Sequence, residues 1–478
     1  MWESDELRSE LAELRRELQL IREECTRLGA ENATLRAENT ALREENTALR
    51  QALEEARRAG KRQAGPFSRN SPKPNPKKPG RKGGSEYGAV SHRPVPDRVD
   101  LTVEVPCPLW CSCGGQVKLE GVVRQHQTDI PPVEPTTIEF AIEYGRCTTC
   151  GRRVQGRDAR QTSDATGVVG GVQIGPRTIA LAAQLNKASG LSYERIMDLF
   201  AQVFGLLVSR SALARAMLRL GGKAEASYEH LKEVLRKSRI VYPDETGWRV
   251  GGAKAWLWAM TTVTETVYLI ERGRGFPEAA KILGELFAGI LGCDGWAPYR
   301  RFTKAERQLC LAHLLRRCKE LLEAPPTAEC ANYFERIKAI LKEALALRDR
   351  RDEGTITPHG LRSRKGKIEA SMDRLIDDPD LHDESIRFAL HLLTNRDALF
   401  LFLDHPDLEA TNHLAEKAIR PAVINRKTSG GNRTFNGAHA QAIIMSILRT
   451  AKLRSISALD VLADMLRAPQ PLPHPLMR

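Results

Sequence analysis

Apolar residues recur at every seventh position through the first 56 residues, and this is the most regular hydrophobic pattern in the chain. Position d of the heptad is occupied by Leu14, Ile21, Leu28, Leu35, Leu42 and Leu49. Position a is occupied by Leu11, Leu18, Cys25, Asn32, Asn39 and Asn46. Such a stripe buries one seam against a second helix, and Asn at position a pairs best with Asn in a parallel, in-register dimer. The pattern predicts a parallel coiled coil over 1–58 that joins two copies through residues 4–56; a single solvated amphipathic helix is the alternative.

The periodicity stops at residue 59, and Pro, Gly and Lys dominate as far as residue 98. This composition predicts a disordered basic linker. The segment Pro-Gly-Arg-Lys at 79–82 suits an arm that enters a DNA minor groove, although a merely solvating linker fits equally well. In either role the basic side chains would add salt-dependent affinity for phosphate.

Five cysteines are gathered in the segment 99–160: Cys107, Cys111, Cys113, Cys147 and Cys150. Glycine follows the third and the fifth of them, so the chain can turn tightly and the thiolates can point at one ion. Alternating segments such as Thr137–Tyr144 predict strands. We therefore expect a zinc-ribbon-like module with a structural Zn²⁺; buried free thiols are the alternative. Zinc takes four ligands, so one of the first three cysteines is surplus.

Residues 165–235 have the spacing of amphipathic helices. One helix is predicted over Leu191–Phe204, and Gly205 allows a turn after it. Ser209 can cap a second helix that runs through Ala216. Two short helices around a glycine turn are typical of a helix-turn-helix that binds DNA, although any helical hairpin shares the pattern.

The pattern changes again over 236–435, where short apolar runs alternate with helical ones. The predicted strands cover 238–242, 254–262, 265–270, 289–293 and a run that starts at 308, with a helix at 276–287. This order predicts an RNase H-like α/β core, in which catalytic groups gather at the carboxyl ends of strands. A helical insertion is expected at about 318–405, and a C-terminal helical segment at 436–478. The whole chain is thus predicted to be a multidomain α+β protein.

Composition narrows the class of partner. The 478-residue chain has a net charge of +13 and a pI near 9.3, which favours a polyanion, and nucleic acid above all. No apolar run is long enough to span a membrane, and the charged, periodic first thirty residues do not resemble a signal peptide. Clustered cysteines suit a metal site in a reducing compartment. We expect a cytoplasmic protein that acts on the bacterial nucleoid without a membrane partner.

Three acidic residues stand in short, distinctive motifs that lie far apart in the chain. Asp244 and Asp294 are placed by the pattern at strand ends, and Glu416 is placed on a helix beyond the insertion. Attack on a phosphodiester needs an activated oxygen and a stabilised leaving oxygen, and two divalent ions can serve both. Mg²⁺ and Mn²⁺ prefer oxygen ligands, so we expect the three carboxylates to converge on two such ions, with Asp244 between them. Glu245 is a substitute ligand in principle, but alternation along a strand points it away from Asp244.

Basic side chains surround the third motif and recur near the fifth strand. The candidates for contact with DNA phosphates are Lys417, Arg420, Arg426, Lys427, Arg433, Arg316 and Arg317. A flexible polar loop is predicted at 428–432. Cys310 and His313 have the spacing of a metal half-site without a second pair, so His313 is expected near the active site rather than on zinc.

Taken in order, these motifs resemble the transposases of the insertion-sequence 66 family over nearly the whole chain. The matching segments are Tyr-Pro-Asp-Glu-Thr-Gly-Trp at 242–248, Cys-Asp-Gly-Trp-Ala-Pro-Tyr at 293–299, Cys-Leu-Ala-His-Leu-Leu-Arg-Arg at 310–317, Asn-His-Leu-Ala-Glu-Lys-Ala-Ile-Arg-Pro at 412–421 and Asn-Arg-Lys-Thr-Ser-Gly-Gly at 425–431. The resemblance implies DDE chemistry on an RNase H-like fold, with Asp244, Asp294 and Glu416 as the acidic triad. The chain departs from the family in its upstream cysteines, where the family has Cys-x2-Cys.

The sequence thus predicts a DNA transposase that binds terminal inverted repeats, cleaves the element ends and joins each 3′ hydroxyl to target DNA. A dimer would bring two ends together, with higher assembly in a synaptic complex and accessory proteins as possible partners. Two alternatives stay open. A DNA-binding regulator without catalysis leaves the acidic motifs unexplained, and a structure-specific nuclease on the same fold would cut DNA without joining it.

Overall fold

The structure is a computed structural model that describes residues 2–60, 94–161, 174–323, 325–379 and 381–472. Contacts within the chain divide it into two units, Met1–Asp129 and Ile130–Arg478. The predicted linker at 59–98 lies for most of its length outside the described residues.

The first unit consists mainly of one long helix, α1 (Trp2–Gly60). The helix that the heptad pattern predicts is therefore present. Its d-position side chains from Ile21 to Leu49 are 49–62% exposed in the single chain. Apolar side chains repeated along one exposed stripe are what a second helix would cover, and that second helix stays a prediction.

The second unit begins with a small antiparallel pair of strands, β1 (Tyr144–Arg146) and β2 (Arg153–Gln155). The longer strand predicted at Thr137–Tyr144 is wrong, because among these residues only Tyr144 pairs with a neighbouring strand. Alternation of side chains describes a strand's faces, but a strand also needs a partner for its main-chain hydrogen bonds.

A helical layer follows, made of α2 (Pro176–Ala183), α3 (Tyr193–Phe204) and α4 (Arg210–Lys237). The predicted turn is confirmed: Gly205 ends α3 with a φ of +61°, and the Ser209 side chain accepts a hydrogen bond from the N–H of Ala212. α4 continues far beyond the predicted end at Ala216 because its second half is also amphipathic and packs on the helices Phe276–Leu283 and Phe435–Leu453.

A five-stranded mixed sheet forms the centre of the second unit, in the order β5-β4-β3-β6-β7. Its strands are β3 (Ile240–Val250), β4 (Ala253–Thr261), β5 (Thr266–Glu271), β6 (Ile290–Cys293) and β7 (Glu306–Leu309). β3, β4 and β5 are antiparallel, whereas β6 runs parallel to β3 and to β7. A mixed α/β architecture is thus confirmed.

The first strand is longer than predicted, and Asp244 does not lie at its end. β3 continues to Val250 and turns directly into β4 through Gly251 and Gly252, which have φ of +57° and +81°. Two consecutive residues with positive φ make the tight hairpin turn that matches the twist of paired strands. Asp244 therefore lies within the hairpin, just beyond the part of β3 that pairs with β6.

Helices account for most of the remaining chain. They are α5 (Phe276–Leu283), α6 (Leu311–Glu323), α7 (Ala328–Asp352), α8 (Pro358–Ile376), α9 (Asp383–Thr394), α10 (His413–Ser429), α11 (Phe435–Leu453) and α12 (Ala458–Arg467). The segment between β7 and α10 is mostly helical, and that it is an insertion stays a prediction. None of the described helices is long and apolar enough to cross a membrane.

The two faces of the sheet belong to different parts of the core. Trp258 and Met260 of β4 pack in the cluster that holds α2, α4, α5 and α12. Leu257 and Ala259, which alternate with them, pack against α10 and α11. Because successive residues of a strand point to opposite faces, helices cover both sides of the sheet. α10 is thereby held across β3 and β4, the strands beside Asp244.

Candidate active site at the end of the central strands

Asp244 and Asp294 are carried by the two central, adjacent strands. β3 pairs with β6 through Ile240–Val241 and Ile290–Leu291, and both strands leave this pairing in the same direction. Asp244 lies three residues beyond Val241, and Asp294 lies three residues beyond Leu291. Because β3 and β6 run in parallel where they pair, the two acidic residues follow that pairing in the same direction, Asp244 within the hairpin and Asp294 directly after β6.

The backbone turns sharply after Asp294. Gly295 has a φ of +87°, and the Trp296 N–H donates to Asp294 Oδ1 at 3.0 Å. A Cβ on residue 295 would lie 2.7 Å from Leu309 and 3.3 Å from the His391 ring. Glycine is required here both by the left-handed backbone and by the close approach of β7 and α9. The Asp-Gly-Trp order therefore builds a turn that presents one oxygen of Asp294 and binds the other.

Glu416 lies in the first turn of α10, and Asn412 fixes where that helix begins. The buried Asn412 side chain donates from Nδ2 to the Pro243 carbonyl at 2.8 Å, and its main-chain N–H donates to Cys310 Sγ at 3.1 Å. Glu416 follows one helical turn later, and its N–H donates to the Asn412 carbonyl at 3.1 Å. One asparagine thus ties the helix of Glu416 to the residue preceding Asp244.

The electrostatics of Asp244 connect the three acidic residues. The pKa of Asp244 is raised from 3.8 to about 7 by burial and by the negative charges of Glu245, Asp294 and Glu416 together, against a hydrogen bond from the Glu245 N–H that lowers it. A carboxyl group senses other carboxylates in this way only when they are near and poorly screened. The site therefore holds an excess of negative charge around one half-buried carboxyl group.

His313 lies beside the third acidic residue. Its Nε2 is 4.0 Å from Glu416 Oε1, and it stands on the first turns of α6. The Cys310 side chain raises the pKa of His313, while burial opposes the change. Burial would raise the pKa of Cys310, but the His313 side chain and the Asn412 N–H outweigh it and lower that pKa. His313 thus lies where the sequence places it, near Glu416.

The donor set suits a hard divalent cation. Among the residues that the structure describes, no three His, Cys, Asp or Glu side chains already stand in an arrangement that would hold a metal ion. The carboxylates that act on Asp244 nevertheless supply oxygen donors, which Mg²⁺ and Mn²⁺ prefer. A bound cation would also reverse the repulsion that raises the pKa of Asp244.

Glu245 points away from Asp244, as alternation predicts. Its Oε1 accepts from Arg274 Nη2 at 2.7 Å and from Nε at 2.9 Å, and its Oε2 accepts from the Tyr299 hydroxyl at 2.6 Å. The Arg274 guanidinium lies over the rings of Trp296 and Trp256, at 4.0 and 4.5 Å from their centres. Both oxygens of Glu245 are therefore engaged, and it does not act as a substitute ligand in this arrangement.

The candidate DNA contacts fall into two groups. Exposed side chains on α10 and α6, and one just beyond α10, are Lys417, Arg420, Lys427, Arg433, Arg316 and Arg317. Arg426 differs from them: its guanidinium donates to the Gly247 carbonyl and, at 3.2 Å, to the Thr246 hydroxyl. That side chain holds α10 to β3.

The predicted flexible loop at 428–432 is instead fixed to the hairpin. Asn432 exchanges main-chain hydrogen bonds with Arg249 and Gly251 at 2.9 and 2.8 Å, and its side chain accepts from Trp248 Nε1 at 2.8 Å. Gly431 has a φ of +109° and lies so close to the Arg249 carbonyl that a Cβ would be 2.3 Å away. Polar and glycine-rich composition predicts flexibility, but these residues pair with the edge of a strand.

The cysteines of the predicted zinc module form two separate turns. In the first unit, the Gly114 N–H donates to the Cys111 carbonyl at 2.9 Å, and the main chain of Cys113 lowers the pKa of the Cys111 thiol. In the second unit, the Gly151 N–H donates to the Cys147 carbonyl at 2.9 Å, and the main chain of Cys150 lowers the pKa of Cys147. Each turn thus brings two cysteines together, whereas Cys107 precedes the first turn.

Sequence reasoning missed four residues of the site. Asn412 and Tyr299 stand within the motifs at 412–421 and 293–299, so their place in those motifs is the signal that points to them. Arg274 and His391 stand in no such motif. His391 reaches the Asp294 turn from α9, and burial lowers its pKa, with Arg317 and Arg300 adding to the effect.

The fold is that of an α/β protein whose mixed sheet carries acidic residues, in a strongly basic chain. Residues 171–440 match the family model described as "Transposase IS66 family". The match spans more than half of the chain, and the chain belongs to this family. Membership implies an enzyme that processes DNA in transposition.

Two curated relatives are similar over most of their length. An uncharacterized protein, y4qI, from Sinorhizobium fredii (strain NBRC 101917 / NGR234) is 27% identical over 407 residues, which are 77% of this chain and 72% of the relative. A second uncharacterized protein from the same strain, y4jD, is 21% identical over 398 residues, covering 77% and 76%.

Proposed function

We propose that the chain is a DDE transposase whose catalytic residues are Asp244, Asp294 and Glu416. It would bind the two ends of its element, hydrolyse the phosphodiester at each end, and direct the freed 3′ hydroxyl to a phosphodiester of target DNA. Both reactions are displacements at phosphorus, so one site can serve both. The observation that carries the proposal is geometric: Asp244 and Asp294 follow the parallel-paired segments of β3 and β6, and Asn412 ties the first turn of the Glu416 helix to Pro243, next to Asp244. The charges of Asp294 and Glu416 also help to raise the pKa of Asp244.

The proposal assigns the three carboxylates as ligands of two Mg²⁺ or Mn²⁺ ions, with Asp244 between the two. When bound, such ions activate an attacking oxygen and stabilise a leaving oxygen. The protein's own part is to hold the ligands in place: the Gly295 turn presents Asp294, and Asn412 sets the position of Glu416. His313 stands beside Glu416 at 4.0 Å and can orient its carboxylate.

The exposed basic residues are assigned to DNA. On α10, Lys417, Arg420 and Lys427 follow Glu416 at intervals of one, four and eleven residues, which places them along one side of the helix. Phosphates of the substrate would lie along this side and next to Arg316 and Arg317 of α6. Arg426 is left out of this assignment because its guanidinium holds β3.

We further propose that the five-stranded sheet of the second unit and the helices that cover it have an RNase H-like fold. The support is the strand order β5-β4-β3-β6-β7, with an antiparallel meander on one side of β3 and parallel strands on the other. The helices α7, α8 and α9 then form an insertion between the second acidic residue and the third.

Two assembly features of the sequence also stay proposals. The exposed apolar stripe of α1 supports a parallel homodimer through residues 4–56, which would suit a complex that holds two DNA ends. For zinc, the sequence offers Cys107, Cys111, Cys113, Cys147 and Cys150, of which one of the first three is surplus. Replacement of the surplus cysteine with Ser should leave the zinc content of the purified protein unchanged, so Cys107→Ser, Cys111→Ser and Cys113→Ser together identify it.

The catalytic proposal is tested with Asp244→Asn on DNA that carries the element ends. The variant should bind the ends as the wild type does and fail to cleave them. Wild-type cleavage by Asp244→Asn would overturn the assignment, and loss of end binding alone would favour a DNA-binding regulator. Precut ends separate the remaining alternative, because a transposase joins them to target DNA and a nuclease on the same fold does not.

A further inference from the structure

Asp244 and Asp294 both lie beyond the main-chain pairing of the two strands that lead to them. Main-chain pairing between β3 and β6 ends at Val241 and Leu291. Around Asp244, β3 is paired with β4, and the residues before Asp294 are paired with β7. The two carboxyl groups therefore lie beyond the main-chain pairing of β3 with β6, and contacts between side chains can set the distance between them.

A cluster of side chains spans this gap. The Glu245 clamp, as we name it, consists of Glu245, Arg274, Trp296 and Tyr299. Glu245 adjoins Asp244 in the chain, and Trp296 stands two residues after Asp294. Arg274 joins them, since it is bound by Glu245 Oε1 at 2.7 Å and lies 4.0 Å above the centre of the Trp296 ring.

The geometry makes the clamp stiff. The Glu245 side chain is only 2% exposed, so its charge depends on Arg274 and on the Tyr299 hydroxyl. Trp256 packs on the Arg274 guanidinium at 4.5 Å and restricts it further. A planar guanidinium can donate two hydrogen bonds in its plane and stack on an indole through its face, which a lysine cannot do. Tyr299 makes a second connection. It lies in the short helical turn after Trp296, and its hydroxyl donates a hydrogen bond to Glu245.

We propose that the Glu245 clamp is a positioning device that sets the distance between the Asp244 and Asp294 carboxylates and so pre-forms the metal site. This inference rests on the proposed function of those two residues. In it Glu245 and Arg274 touch neither metal nor DNA; they act through the strand of Asp244 and the turn of Asp294. The clamp also explains why the first motif continues as Asp-Glu and why the second contains Trp and Tyr.

The test uses Glu245→Gln, which keeps the shape of the side chain and removes its charge. The matched control is Glu265→Gln. Glu265 is likewise largely buried, at 10% side-chain exposure, and pairs with Arg454 at 2.7 Å. It lies at the β4–β5 connection rather than beside the acidic residues. Both variants lose one buried ion pair, but only the first loses the proposed clamp.

Two quantities are measured on the full-length protein. The first is Mn²⁺ affinity without DNA, from the electron paramagnetic resonance signal of free Mn²⁺. The second is the Mn²⁺ dependence of end cleavage. Changing a residue that orients a metal ligand typically costs about 10-fold to 100-fold in metal affinity, and we expect Glu245→Gln to fall in this range. Glu265→Gln should bind Mn²⁺ as the wild type does.

Arg274→Lys gives a second route to the same answer if Glu245→Gln does not fold. Lysine keeps the charge opposite Glu245 but lacks the stacked plane, so Mn²⁺ affinity should again fall while end binding is retained. If Glu245→Gln or Arg274→Lys folds and binds Mn²⁺ with wild-type affinity, the proposal that the Glu245 clamp positions the metal ligands is wrong. Failure of the proposed function is distinguishable, because Asp244→Asn would then also leave Mn²⁺ binding and cleavage unchanged.

Discussion

Asn412 offers a sharp test of how Glu416 is positioned, because the change is small and its cost can be worked out. In Asn412→Ala the buried donor to the Pro243 carbonyl, now 2.8 Å away, is lost. Removing a buried hydrogen-bond partner costs about 1–3 kcal/mol. The Asn412 Oδ1 is itself buried without a hydrogen-bond partner among the described residues, and its removal recovers part of that cost. We therefore expect a loss near the lower limit, about 1 kcal/mol.

A loss of this size should leave the protein folded, since domains are stable by about 5–15 kcal/mol. Glu416 would nevertheless lose the contact that sets the start of its helix. We expect cleavage of element ends to slow by about 10-fold to 100-fold, the usual effect of losing a partner that orients a metal ligand.

The assay pairs urea unfolding with single-turnover cleavage. Asn186→Ala is the matched control: it too is a buried asparagine that donates to a main-chain carbonyl, that of Leu191 at 2.6 Å. The control should lose similar stability and keep its cleavage rate. Wild-type cleavage by Asn412→Ala, or an equal slowing in the control, would refute the reasoning.

Three further predictions follow from burial and charge. In metal-free buffer the free energy of unfolding should fall as pH rises from 3.8 through about 7, because the pKa of Asp244 is raised on folding. This loss of stability is worth at most about 4 kcal/mol. The variant Asp244→Asn should not show it. The pKa of Lys187 is lowered by burial from 10.5 to about 8, so its contribution to stability falls as pH drops through that interval. Lys187→Met should then raise the free energy of unfolding at pH 7 by at most about 3 kcal/mol, as urea titration would measure. Replacement of both Leu35 and Leu42 with Lys should convert a dimer to a monomer in analytical ultracentrifugation, and an unchanged mass would contradict the coiled coil.

The elements that the sequence predicted well are those whose local pattern decides the structure. The apolar run before Asp294 became β6, and Ser209 caps α4 as expected, because both depend on residues a few positions away. β3, in contrast, continues beyond its predicted end to Val250, because a two-glycine turn lets its second half pair with β4. The strand predicted at 137–144 lacked a partner for most of its length.

The site divides in the same way. The acidic residues stood out because each is set in a distinctive motif, whereas Arg274 and His391 come from separate elements and meet the site only through tertiary contacts. The loop at 428–432 was predicted to be flexible from its composition. Its structure depends instead on hydrogen bonds to β3, which lies roughly 180 residues earlier in the chain and which no local pattern reveals.

The central claim is that Asp244, Asp294 and Glu416 form one metal site. Anomalous diffraction from crystals grown with Mn²⁺ tests it most directly. The account predicts two anomalous peaks bounded by these three carboxylates, with Asp244 Oδ atoms contacting both ions at about 2.1 Å. Peaks that involve other residues, or a Glu416 carboxylate that contacts no ion, would contradict it.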